Sequence, residues 1–261
     1  MKKLLSVILA IFMLASLAAC ASSPSDVDSA ISDIETESAN TSSEDVESEA
    51  PLHSEFFIEG LSVEDVIMYF NEVCLNAEYI NSGNPTFLQK WAEPITFKVY
   101  GDYTQTDYDV IYGLVDLLNE IEGFPGISEA LNNEWPSLNI HFCEEQEFVN
   151  LMGEMAQNEV LDGAVTFWYN DNNEIYDAII CCRSDIDQNL RNSVILEEIY
   201  NGLGPIQDTT VREDSIIYQG YSEVQKLTEI DTLLLKLLYH PQMKCGMDAQ
   251  QCETVIRQLY Y

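Results

Sequence analysis

"EIYDAIICCRSDIDQNLRNSVILEEIYNGLG", Glu174 to Gly204, decides the fold. Its first ten residues are rich in β-branched and aromatic types and read as a strand. Asp185 or Asp187 then caps a helix that runs through "NSVILEEIY" and stops at a glycine turn. Near the end of that helix Glu197 and Asn201 stand one turn apart on the same face, and Glu198 points about 100° away.

Just upstream, "GAVTFWYN" and the polar turn "DNNE" complete a β-hairpin with the strand. Further back lie two more strands, "PITFKVYG" from Pro94 and "SLNIHFC", and three helices. The first helix is "LSVEDVIMYFNEVCLNAEYI" with Ser62 as N-cap. The second is "TDYDVIYGLVDLLNEIEGFPG", capped near Thr106 and ended by Gly123 and Pro125, and the third is the short "EEQEFVNLMGEM". Downstream, a polar loop and "SIIY" precede the helix "LTEIDTLLLKLLYHP", which starts at Thr228, and a last helix starts near Asp248. The pattern predicts an α+β domain, a mixed twisted sheet with helices packed on it. It has no internal repeat.

The N-terminus is of another kind. "MKKLLSVILAIFMLASLAAC" has two lysines, an apolar run and a small-residue stretch ending in Cys20, and residues 1–19 read as a bacterial signal peptide. The run is short for a membrane span. Its "LAAC" ending resembles a lipobox, which implies cleavage before Cys20 and a lipid anchor on that sulfur, and so the outer face of the cell membrane. Residues 20–54 form an acidic, Ser/Glu-rich tether with nine carboxylates between Asp26 and Glu49 and no Lys or Arg. Such a segment buries too little apolar surface to fold. Residues 55–261 remain for a single folded domain.

The whole chain has a formal charge of −34, with 11 Lys and Arg against 45 Asp and Glu. Nucleic acid and anionic membrane surfaces need a basic footprint, so neither is expected as a partner of the domain. Six cysteines follow Cys20; Cys245 and Cys252 are the pair best placed by spacing for a disulfide, and adjacent Cys181 and Cys182 should point to opposite faces of their strand. No C-x-x-C, G-x-S-x-G, phosphate loop or Gly-rich dinucleotide turn is present. His53, His141 and His240 are scattered, with no pair at ligand spacing. Trp168, Tyr169 and Tyr176 on the hairpin fit packing on the sheet face, and an exposed subset would suit a peptide or glycan groove.

"VILEEIYNGLG" resembles the metalloprotease helix H-E-x-x-H-x-x-G with both histidines replaced. "DSIIY" stands where metzincins have the turn below their metal, and "LTEIDTLLLKLLY" resembles their closing helix. "KWAEPITFKVYGD" looks like their first strand and "YDAIICC" like the strand before the helix. Together these motifs resemble the DUF2927 family of bacterial secreted proteins and lipoproteins. Its pattern runs E-E-x-x-Q-x-L-G, a later Asp, S-I-F, L-T-x-x-D, L-Y-x-P and P-G-M. Here it is carried by Glu197 to Gly204, Asp208, Ser215 to Ile217, Leu227 to Asp231, Leu238 to Pro241 and Cys245 to Met247. Asn201, Ile217 and Cys245 depart from it. The likeness spans roughly Lys90 to Met247 and implies a zincin-like fold with an active-site-type helix and C-terminal helices.

That resemblance also locates the chemistry. A zincin holds its ion with two imidazoles four residues apart and a third ligand, beside a carboxylate base. Those positions fall here on Glu197, Asn201 and Gln207, the last next to Asp208, and the base falls on Glu198. Carboxyl and amide oxygens are poor zinc ligands, and without a metal a retained carboxylate cannot activate water at neutral pH. The expectation is a non-catalytic domain on a lipid-anchored protein that needs no metal or cofactor. Glu198 is then a vestige of the general base, and the partners are the membrane, through Cys20, and a peptide or envelope protein. The competing expectation is a secreted metal-dependent peptidase with Glu198 as base.

Overall fold

The computed structural model describes residues 8–10, 54–75, 86–153, 161–220 and 224–261. Cys20, His53 and all but the end of the tether lie outside the described residues, as does the last part of the expected first helix beyond Leu75.

One mixed sheet organises the molecule. Its strands are β1 (Ile8–Ala10), β2 (Lys90–Trp91), β3 (Ile95–Gly101), β4 (Ile127–Glu129), β5 (Leu138–Cys143), β6 (Gly163–Tyr169) and β7 (Glu174–Arg183). They lie in the order β1-β6-β7-β5-β3-β4, with the short β2 also pairing with β7. The hairpin expected from the sequence is there: β6 runs antiparallel to β7, with Gly163 opposite Cys182. Asn173, with φ of 61°, takes the left-handed turn position between them. β3, β4, β5 and β7 run parallel, which the connecting helices permit. Three strands are additional to the sequence reading, β1, β2 and β4; at two or three residues each they are too short to carry an alternating pattern. β1 falls within the segment read as a signal peptide, where it lines up parallel to β6 with Leu9 opposite Thr166.

Among the described residues six helices follow from caps and periodicity: α1 (Val63–Leu75), α2 (Gln105–Asn119), α3 (Glu145–Met152), α4 (Gln188–Gly202), α5 (Glu229–Tyr239) and α6 (Ala249–Tyr260). The Ser62 hydroxyl accepts from the Asp65 amide at the start of α1, as expected. α2 begins earlier than its sequence reading: Thr104, not Thr106, is the N-cap, because Asp107 three residues on closes a reciprocal capping box. Of the two candidate caps of α4, Asp187 is the one used; its side chain accepts from the Asn189 amide. Asp185 pairs with Arg183 instead.

The two faces of the sheet differ. α4 lies across β6 and β7 with α2 beside it, and Val165, Phe167, Ile180 and Phe142 belong to the main apolar core on that side. α3 covers part of the other face through Phe148 and Met152, which pack with Cys143, Ala164 and Cys181. Cys181 and Cys182 thus serve different clusters, as strand alternation requires. Burying a large apolar side chain in such a core contributes about 1.5–3 kcal/mol. The domain is an α+β fold with a parallel sheet and an antiparallel hairpin at one side, and no described helix is long and apolar enough to cross a membrane.

α2 and α4 are tied by a buried ion pair that the sequence does not reveal. The Arg191 Nε donates to Asp107 Oδ1 at 2.9 Å, and Gln188 Nε2 donates to the same oxygen at 2.7 Å. Asp107 is fully buried and also serves the α2 cap, so one carboxylate fixes both a helix start and a helix–helix contact.

Candidate functional site

α4 is not amphipathic in its second half. From Ser193 to Gly202 every side chain is buried, Glu197, Glu198 and Asn201 among them. A helix end carrying two adjacent carboxylates is ordinarily solvated; here the structure places both inside. The enclosing residues explain how. Gly163, opening β6, has no Cβ, and one placed there would sit 2.4 Å from Val194 Cγ1 and 2.7 Å from Glu198 Oε1. The glycine leaves the space that the Glu198 side chain fills beneath the sheet, where its exposure is 1%.

Asp208 comes in from the segment after α4. Asn201 Nδ2 donates to Asp208 Oδ1 at 3.4 Å, so two of the motif positions meet, and Asp208 is buried. Its neighbour Gln207 is half-buried. The tight passage out of α4 depends on Gly204, whose φ is 131° and where a Cβ would meet the Gln89 carbonyl oxygen at 2.7 Å. Trp91 Nε1 donates to the Gly202 carbonyl at 2.9 Å and closes the helix end.

Electrostatically this is a crowded acid cluster. Burial first, then the charges of Asp208, Glu198 and Asp162, hold the Glu197 carboxyl well above the usual carboxylate range. The same surroundings push the Cys182 thiol up, through burial and then Glu198. Zinc takes imidazole nitrogen or thiolate sulfur, with at most a carboxylate beside them. The helix offers two carboxyls and an amide here, with Asp208 as the fourth group. Among the described residues no three His, Cys, Asp or Glu side chains converge so as to hold a metal ion. The donor set does not fit zinc.

The histidines serve elsewhere. His141, half-buried on β5, stacks on Tyr100 with ring centroids 4.8 Å apart, and burial lowers its pKa. His240 ends α5, where its Nδ1 accepts from the Gln242 amide and its ring meets Phe56 edge-on.

The later motif positions are architectural. Asp231, in the first turn of α5, accepts from the Thr228 amide at 2.8 Å and the Thr228 hydroxyl at 2.7 Å. Its other oxygen accepts from Ser215 Oγ at 2.7 Å, and the Ile216 amide reaches both oxygens. Tyr69 from α1 meets Ser215 Oγ at 3.0 Å, while the Tyr200 hydroxyl of α4 donates to the Asp231 carbonyl at 3.0 Å. One carboxylate therefore caps a helix and orders the Ser215–Ile217 turn, with α1 and α4 joined to the same network.

A family of sequences described as "Protein of unknown function (DUF2927)" matches residues 64–258. This chain belongs to the DUF2927 family. The match extends the likeness seen in the motifs to nearly the whole folded part of the DUF2927 domain, from α1 to α6. No curated protein and no solved structure matches the chain.

The expected disulfide is not formed. Cys245 and Cys252 are both free thiols, as are the other four described cysteines. Cys252 is buried on α6, whereas half-buried Cys245 donates from Sγ to the Lys90 carbonyl at 3.6 Å. Trp168 and Tyr169 are half-buried and Tyr176 is 49% exposed, which leaves one hairpin aromatic open to solvent.

Proposed function

We propose that this protein is a bacterial lipoprotein whose zincin-like domain is not catalytic and serves as a binding or scaffolding module at the cell envelope. The observation that carries the reading is the enclosure of Glu198. A general base must reach the water or group it deprotonates. Glu198 is 1% exposed beneath the hairpin, packed against the position where Gly163 lacks a Cβ. A carboxyl in that place holds up the fold and has no access to a scissile bond.

The zincin-like part of the reading rests on order and position. An antiparallel strand pair leads directly into a central helix, a turn at Ser215–Ile217 follows, and a capped helix closes the domain. In this reading β6 is the binding edge. Cleavage before Cys20 removes Ile8–Ala10 together with the leader, so the backbone of Val165–Phe167 is left to pair with an extended segment of a peptide or envelope protein. The lipid on Cys20 and the tether keep the domain at the outer face of the membrane.

The test is metal analysis of the purified protein, a peptide-cleavage screen, and fractionation of cells carrying Cys20→Ser. The reading expects substoichiometric metal and no cleavage that depends on Glu198. It also expects the Cys20→Ser protein to leave the membrane fraction. One zinc per chain, with cleavage abolished by Glu198→Gln, would establish the peptidase instead.

A further inference from the structure

The domain has nine Lys and Arg side chains after Ser54. Five of them, Arg183, Arg191, Arg212, Lys236 and Arg257, make ion pairs with carboxylates. In a chain with 45 acidic residues that is the ordinary fate of a cation. The other four, Lys90, Lys98, Lys226 and Lys244, have no carboxylate partner among the described residues, and two of these four line one cavity.

That cavity has a volume of about 630 Å³ and lies away from the Glu198 cluster, where the C-terminal end of α5 meets the β6–β7 turn. Lys90 and Lys244 line it together with Trp91, Asp171, Glu174 and Cys245. Lys90 is nine-tenths buried. Its ammonium donates to the carbonyls of Leu238 and Met243, each at 2.7 Å, and stands 5.3 Å from the centre of the Tyr239 ring. An ammonium has three N–H donors, and two are committed here. Carbonyl dipoles and a ring face stabilise a buried cation partly, but they leave its unit charge uncancelled. Burial, together with the nearby Lys244 ammonium, lowers the Lys90 pKa to about 8. Two like charges line one cavity, and among the described residues neither is ion-paired with the carboxylates that border it.

We propose that this cavity binds the carboxylate of a small organic acid or of a peptide chain end, with Lys90 and Lys244 as its cationic contacts. A single negative charge fits better than a phosphate ester or polyanion, because Asp171 and Glu174 border the same space. Glu174 is held by Asn170 Nδ2, which donates to it at 2.8 Å, so it is oriented by the turn and not by the lysines. The inference is independent of what the β6 edge binds.

The test is an amide NMR titration of the full chain with sodium acetate, N-acetyl-Ala-Ala and its C-terminal amide, at ionic strength matched with sodium chloride. The Trp91 indole N–H and the Gly246 amide should shift with the free carboxylates and not with the amide. Shifts with both acetate and the dipeptide identify a small-acid site, and shifts with the dipeptide alone identify a chain-end site. Lys244→Gln, a change at an exposed position that leaves the core intact, should weaken binding about five-fold, and Lys90→Met at least about ten-fold. No shift beyond that of chloride, or an unchanged affinity in Lys244→Gln, would overturn the assignment even if Lys90→Met fails to fold.

Discussion

Two buried carboxyls of this domain, Asp231 and Glu197, belong to the same sequence pattern and sit within one core, yet their surroundings are opposite. Asp231 faces donors: two from Thr228, one from Ser215 and the Ile216 amide. Burial raises its pKa, and those donors pull against the rise. Glu197 faces other acids, and both burial and its neighbours push its pKa upward. Burial alone therefore says little about whether a carboxyl supports a fold. What it meets decides.

The largest effect should come from Asp231→Ala. It strands the buried Ile216 amide, leaves the Ser215 hydroxyl with Tyr69 alone and frees the half-buried Thr228 amide, and should cost about 3–5 kcal/mol in urea unfolding. A cost near 1 kcal/mol would mean that water replaces the carboxylate and that the network is not what holds the α5 start. Glu197→Gln should act in the other direction. A carboxyl whose folded pKa is raised takes up a proton on folding, so its contribution is full below about pH 4.3 and is lost as pH rises through the folded value. The amide has no proton to take up. Glu197→Gln should thus stabilise the protein by about 1–3 kcal/mol at pH 7 and leave it nearly unchanged at pH 4. Thermal unfolding at the two pH values checks this. Equal shifts at both would contradict the acid-cluster account.

The same contrast shows what could be read in advance. The capping signals at Ser62, Asp187, Thr228 and Asp248 are local, and local signals were sufficient to place the helices they start. The hairpin was legible for the same reason: its turn chemistry lies within a few residues of the strands it joins. The burial of Glu197 and Glu198 was not legible. For Glu198 it depends on Gly163, more than thirty residues away, leaving room under the sheet, and no periodicity in α4 announces the burial of either. The Arg191–Asp107 pair and the Lys90 cavity were missed because each joins groups separated by 84 or more residues in the chain. The β2 and β4 pairings were missed because they are too short for a pattern. Thr228 was legible as a helix start, but only the contacts of Asp231 showed that the same motif also holds the Ser215–Ile217 turn.

The smallest effect is the most specific. Thr228→Ala removes the hydroxyl that donates to Asp231 and caps α5, while the residue 228 amide still donates to the same carboxylate. Losing an N-cap side chain typically costs about 1 kcal/mol. Thr228→Ser restores the hydroxyl without the methyl and should recover most of that loss. If Asp231 holds the turn through all its donors together, Thr228→Ala in an Asp231→Ala background should cost much less than it does alone, because the two residues share one network. A double-mutant cycle in urea measures the coupling. Additive losses would mean that the cap and the Ser215–Ile217 turn are stabilised separately, and that Asp231 is two local contacts on one carboxylate, not the hub through which α1, α4 and α5 are joined.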